Sequence, residues 1–143
     1  MKAFLLAMTV TFGLLQVHGD LWNFGKMVWK STGKNIASSF GLYGCHCHWG
    51  GKGAPRDATD WCCAEHDCCY RRLAKQGCQT RALPYKADYS GGQIHCEEQD
   101  ACSAQKCECD KTAALCFAKN LDTYNKTYQF YSRRKCRGKA PQC

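Results

Sequence analysis

Apolar residues recur at helical intervals near the start of the chain, vanish into a glycine-rich stretch, and return twice on faces rich in cysteine. Between Asp20 and Lys34, Leu21, Phe24, Met27 and Val28 fall at spacings of three and four. Lys26, Lys30 and Lys34 occupy the rest of the wheel, which predicts an amphipathic helix stopped by Gly33. Trp22 and Trp29 lie off the narrow apolar stripe and have two readings, closing the core or resting in an interface. From Gly41 to Gly53 the chain reads GLYGCHCHWGGKG, with five glycines in thirteen residues, a loop able to reach conformations closed to other residues. A second helix is predicted from about Asp60 to Gln76, capped by Asp57 or Thr59 and ended by Gly77. Tyr85 to Tyr89 and Gln93 to Cys96, around Ser90-Gly91-Gly92, predict a small β-hairpin.

A third helix is predicted from Glu98 or Gln99 to Asn120, carrying Cys102, Lys106, Cys109, Ala113, Cys116 and Phe117 at helical intervals. Its cysteines and Cys62, Cys63, Cys68 and Cys69 of the second helix suit two helices riveted side by side. The stretch from Asn125 to Cys143 reads as irregular and basic, tied down by Cys136 and Cys143. The sequence shows no internal repeat, low-complexity run or linker, so these elements make one mainly α, disulfide-rich domain.

Composition adds the compartment. Residues 1–19 read as a removable leader: Lys2 is followed by an apolar run from Ala3 to Leu15, and Val17, His18 and Gly19 offer a small-residue cleavage site. That run is too short to span a bilayer. The single domain then occupies residues 20–143. The 14 cysteines, an even number in an exported chain, imply disulfides and make the protein secreted and extracellular. Twenty basic against 12 acidic residues become 19 against 12 once Lys2 leaves with the leader, a mature charge of +7. Nucleic acid is the generic partner of such a charge, but an exported protein meets anionic lipid headgroups, bacterial surfaces and sulfated glycans instead.

The chemistry concentrates in Ala64-Glu65-His66-Asp67-Cys68-Cys69-Tyr70. His66 and Tyr70, four apart, share a helix face. Asp110 follows Cys109 on the third helix, so disulfides between the helices can bring a carboxylate to the imidazole, the arrangement of a general base and its orienting acid. Five histidines with 14 cysteines invite zinc, but paired cysteines in an exported chain are oxidised. The loop suits Ca²⁺ better, because that ion takes backbone carbonyls together with a carboxylate, and Asp67 can supply the charge.

Tyr43-Gly44-Cys45-His46-Cys47, Gly50-Gly51-Lys52-Gly53, Asp60-Trp61-Cys62-Cys63-Ala64-Glu65-His66-Asp67-Cys68-Cys69-Tyr70 and Cys107-Glu108-Cys109-Asp110 together resemble secreted phospholipase A2, most closely its group II branch near the IIA type. The resemblance covers the mature chain through Cys143. It implies an N-terminal helix, a calcium-binding loop, two long antiparallel disulfide-linked helices and a small hairpin. His66 would be the general base, Asp110 its orienting carboxylate, and Tyr70 and Tyr85 the phenols bonded to that carboxylate. Asp67 and the carbonyls of His46, His48 and Gly50 would hold Ca²⁺. The implied disulfides are Cys45–Cys136, Cys47–Cys63, Cys62–Cys116, Cys68–Cys143, Cys69–Cys109, Cys78–Cys102 and Cys96–Cys107. The implied reaction is hydrolysis of the sn-2 ester of a glycerophospholipid at a membrane interface, without a covalent acyl-enzyme.

One position departs from the family pattern: His48 stands where the loop has glycine. A carbonyl ligand survives any side chain, but a Cβ there threatens strain and a protonated imidazole would repel Ca²⁺. This opens a second reading, an impaired member of the fold acting as a cationic protein that binds membranes, heparan sulfate-like glycans or a receptor. A third reading, a disulfide-rich inhibitor or growth factor, leaves the His-Asp helix and the glycine loop without use. Trp49 at the loop tip, where the resemblance places the rim of the membrane-binding face, has two readings, a packing residue or, with Trp22 and Leu21, an anchor on zwitterionic membranes. Arg133, Arg134, Lys135, Arg137 and Lys139 have two readings, a contact for anionic membranes or a solvated flank. Asn125-Lys126-Thr127 is a glycosylation sequon.

Overall fold

A computed structural model describes residues 22–48 and 50–143, so the leader, Leu21 and Trp49 lie outside the described residues. The first helix, α1, spans 22–32 and inserts Met27 and Val28, both without solvent exposure, into the core. It stops where the Gly33 N–H bonds back to the Trp29 carbonyl at 2.8 Å, with Gly33 at φ 71°. Trp22 and Trp29 stay 69% and 58% exposed, which excludes the core-closing reading for both. A π-helical turn over Ile36–Phe40 follows, capped by Asn35, whose side chain accepts from the Ala37 and Ser38 N–H groups. It delivers Phe40 onto Phe117, with ring centroids 4.2 Å apart.

The helix α2 runs Ala58–Lys75. Its cap is Asp57, which accepts the Asp60 N–H at 2.9 Å, whereas Thr59 is wholly buried inside the helix. The helix α3 runs Ala101–Lys119 from an Asp100 cap, a little later than the pattern predicts. The reason lies in Gln99. Its side chain accepts the Lys86 N–H at 2.7 Å and donates to the Lys86 carbonyl at 2.8 Å, so it pairs with the chain beside the hairpin instead of joining the helix.

Strands β1 (Ala87–Asp88) and β2 (His95–Cys96) pair antiparallel, Ala87 opposite Cys96 and Asp88 opposite His95. The hairpin is shorter than predicted because Tyr85 leaves the strand line for the core, where it is 7% exposed.

All seven disulfides form in the implied pairing. Cys62–Cys116 and Cys69–Cys109 run in opposite senses along α2 and α3, which fixes the two helices antiparallel. Small buried residues, Ala64 on α2 with Ala113 and Ala114 on α3, let them approach closely. Lys106, fully buried on α3, donates to the Leu83 carbonyl at 2.8 Å. Short 3₁₀ turns at Leu121–Thr123, Lys126–Tyr128 and Arg133–Lys135 carry the tail across the glycine-rich loop, where Cys45–Cys136 ties it down. No helix among the described residues is long and apolar enough to cross a membrane.

Candidate active site

His66 and Tyr70 face α3 from α2, and the two inter-helix disulfides bracket His66 on α2 and Asp110 on α3 in sequence. Asp110, with no solvent exposure, receives them both. His66 Nε2 lies 2.6 Å from Asp110 Oδ1, the Tyr70 hydroxyl donates to that same oxygen at 2.5 Å, and the Tyr85 hydroxyl donates to Oδ2 at 2.7 Å. Three donors thus compensate the burial of one carboxylate, without which the charge could not be held there. With Nε2 donating to Asp110, the lone pair of the imidazole sits on Nδ1, the nitrogen available to take a proton. The ring is stacked on Phe24 of α1 at 4.6 Å between centroids and remains 18% exposed. Burial, reinforced by the Asp110 charge and hydrogen bond, pushes the Tyr85 phenol well above its ordinary range, so it stays a donor throughout the physiological range.

The glycine-rich loop is built on a second buried carboxylate that the motif reading passed over. Asp60 accepts the N–H groups of Cys45 at 2.9 Å, His46 at 2.8 Å and Arg56 at 2.8 Å, and has no solvent exposure. The loop approaches it through Gly44, at φ 58°, where a Cβ would fall 2.5 Å from the Asp60 carboxyl carbon. Gly51 is held equally close to the His46 ring, 2.3 Å from Nδ1 for an added Cβ. The His46 ring in turn meets the Gly53 carbonyl at 2.7 Å. That contact holds the His46 ring against the loop, with Nδ1 packed on Gly51. Asp67, adjacent to His66, is half-exposed and pairs with Arg71 at 2.9 Å.

His48 is partly buried. Among the described residues the non-glycine positions with positive φ are Ala82 and Phe130, so His48 carries its side chain without left-handed strain. The donor set fits a hard cation: one carboxylate, a carbonyl-rich loop kept open by glycine, and no cluster of three or more His, Cys, Asp or Glu side chains among the described residues that would favour a softer metal.

The structure thus brings together His66, Asp110, Tyr70 and Tyr85. Three residues that the sequence reading did not assign to the site complete it. Phe24 packs on the imidazole, whereas the sequence pattern places it only on the apolar stripe of α1. Met27 places its sulfur 3.7 Å from the Tyr85 hydroxyl. Asp60 offered a sequence signal, a carboxylate in the first turn of a helix ahead of two cysteines, but its partners lie 14 and 15 residues back in the loop.

Comparisons with known proteins give the family. Residues 21–129 match the phospholipase A2 family. The chain is 58% identical to the human membrane-associated phospholipase A2, with 97% of this chain and 96% of the relative covered. It is 54% identical to the rat protein of that name over the whole of both chains. The human group IID secretory phospholipase A2 is 46% identical, with 99% and 98% covered. The chain belongs to the phospholipase A2 family, in its secreted group II branch. It is a secreted enzyme that hydrolyses phospholipids, and its substrate is met at membranes.

Proposed function

We propose that this chain hydrolyses the sn-2 ester of glycerophospholipids, with His66 as general base toward a water molecule and Asp110 as the group that orients it. The observation that carries this reading is the His66 Nε2 to Asp110 contact of 2.6 Å inside a carboxylate site furnished with two phenols. Asp110 fixes the Nε2–H tautomer, leaves Nδ1 basic, and stabilises the imidazolium that forms when Nδ1 takes the proton. Tyr70 and Tyr85 keep the carboxylate from turning. Phe24, flat against the ring, keeps bulk water from one of its faces. His66 then returns the proton to the leaving alcohol, so fatty acid and lysophospholipid depart with the base restored.

Asp67 and the backbone carbonyls of His46, His48 and Gly50 would hold Ca²⁺. When bound, the ion supplies an electrophile for the ester carbonyl and the charge to stabilise its oxyanion. Asp60 contributes from beneath, fixing the peptides of Cys45 and His46 so that the loop is preorganised. Trp22 and Trp29, seven residues apart on α1 and largely exposed, support docking on zwitterionic as well as anionic membranes.

The test is fatty-acid release from mixed anionic and zwitterionic vesicles, with and without a chelator. The natural protein is expected to release fatty acid only when Ca²⁺ is free, His66→Gln to release almost none, and His48→Gly to change little. Full activity in His66→Gln would remove the general base from this account.

A further inference from the structure

Two arginines stand against the residues proposed to hold calcium. On α2, the Arg71 guanidinium is 2.9 Å from Asp67 Oδ2, on the one carboxylate of the donor set. From the tail, the Arg133 guanidinium lies across Gly50: a Cβ added there would find Nη2 at 3.3 Å, Nη1 at 3.7 Å and Cζ at 3.9 Å. Arg133 is not there by the accident of a loose tail. Its 3₁₀ turn leads directly into Cys136, which is bonded to Cys45 in the loop, and the Ala54 N–H bonds the Arg137 carbonyl at 2.9 Å. Gly53 passes so near the tail that a Cβ would meet the backbone at Cys136 and Arg137 at 2.7–2.8 Å. Asp60, the buried carboxylate of α2 beneath the loop, is turned inward onto three N–H groups.

A dication entering this set must share Asp67 with one guanidinium and sit beside another. We propose that Arg71 and Arg133 are countercharges that weaken calcium binding at this site. The inference rests on the calcium reading above and concerns how tightly the ion is held. Both arginines are exposed, so each acts through solvent-screened Coulomb repulsion rather than through a buried charge.

Calcium binding to the mature protein, followed by isothermal titration calorimetry without lipid, tests this. Arg71→Gln and Arg133→Gln are each expected to lower the dissociation constant about two- to five-fold, and the double variant by about their product. Arg134→Gln, one residue along the tail, should do less. The gain should shrink as ionic strength rises from about 0.05 to 0.5 M, because screening removes what the substitutions remove. Asp67→Asn is the reference that loses binding. If the natural protein binds calcium, Asp67→Asn does not, and the two glutamine variants bind no more tightly than the natural protein, the arginines merely prop the loop and the inference is overturned. If the natural protein and Asp67→Asn both fail to bind, the calcium reading falls and takes this inference with it.

Discussion

Gly44 lies directly on the Asp60 carboxylate, so close that a methyl group in place of its hydrogen would fall 2.5 Å from the carboxyl carbon. The loop N–H groups that follow Gly44 end on the same carboxylate. Asp60→Asn keeps the volume but replaces one acceptor oxygen with a donor that faces N–H groups. Each buried donor left unsatisfied costs about 1–3 kcal/mol, so a fall in melting temperature and weaker calcium binding are expected together. Thermal unfolding with and without Ca²⁺ checks this. An unchanged melting temperature would show that the loop does not depend on Asp60.

The His66–Asp110 pair predicts a division between rate and affinity. Asp110→Asn exchanges one carboxylate oxygen for an NH2 donor and removes the charge that selects the Nε2–H tautomer and stabilises the imidazolium, and kcat is expected to fall by about 10²–10⁴ with KM little altered. Tyr70→Phe and Tyr85→Phe each leave two of the three donors on Asp110, so each alone should cost far less. The double variant should lose more than the two single effects combined, because the remaining His66 must satisfy the carboxylate alone. Strict additivity in the double-mutant cycle would mean that the two phenols act independently.

The Tyr85 phenol predicts an alkaline limit. Its folded pKa is raised above the ordinary value of 10.0, first by burial and then by the Asp110 charge. A raised pKa gives stability that is fully present below the unfolded value and is lost as pH climbs toward the folded one. From about pH 10 upward the unfolded phenol ionises while the folded one does not, costing about 1.4 kcal/mol per pH unit. Denaturant unfolding at pH 9, 10 and 11 should show this decline in the natural protein and a shallower one in Tyr85→Phe. Parallel curves would place the alkaline sensitivity elsewhere.

Trp22 and Trp29 predict a selective membrane defect. Replacing both with alanine is expected to weaken binding to zwitterionic vesicles about ten-fold or more, since each removes a large amphipathic ring that favours the interface. Binding to anionic vesicles should fall less, because the basic tail is untouched. Vesicle sedimentation separates the two cases. Equal losses on both lipids would assign the tryptophans a role in folding instead.

Much of this was legible in the sequence because the signals were local. The helices announced themselves through spacing, Gly33 and Gly77 marked two ends, and the hairpin followed from Ser90-Gly91-Gly92. The link between His66 and Asp110 was inferable once facing cysteines were seen on both helices. Tyr85 was not, since nothing local ties it to an aspartate 25 residues away; only the family resemblance named it. Asp60 escaped for the same reason. Its role depends on the loop folding back over the start of α2, and a carboxylate in a first helical turn ordinarily faces solvent. The π-helical turn at Ile36–Phe40 was missed because its cue, the Asn35 cap, does not distinguish that turn from an ordinary one. Gln99 misled on the start of α3 because a good helix former was claimed by the backbone of Lys86 beside the hairpin.

The Cys45–Cys136 bond, spanning 91 residues, also sets an order of events in biosynthesis. A nascent chain has already made its loop and its histidine helix long before the partner of Cys45 emerges. Until then, and for as long as thiols stay reduced, the tail cannot be locked over the loop, nor can α2 be fastened to α3 through Cys62–Cys116 and Cys69–Cys109. An enzyme whose substrate is the fabric of every membrane in the cell that makes it thus completes its working geometry only after delivery to an oxidising compartment. The cross-links that give the small domain its stability also act as a safeguard for the cell that produces it.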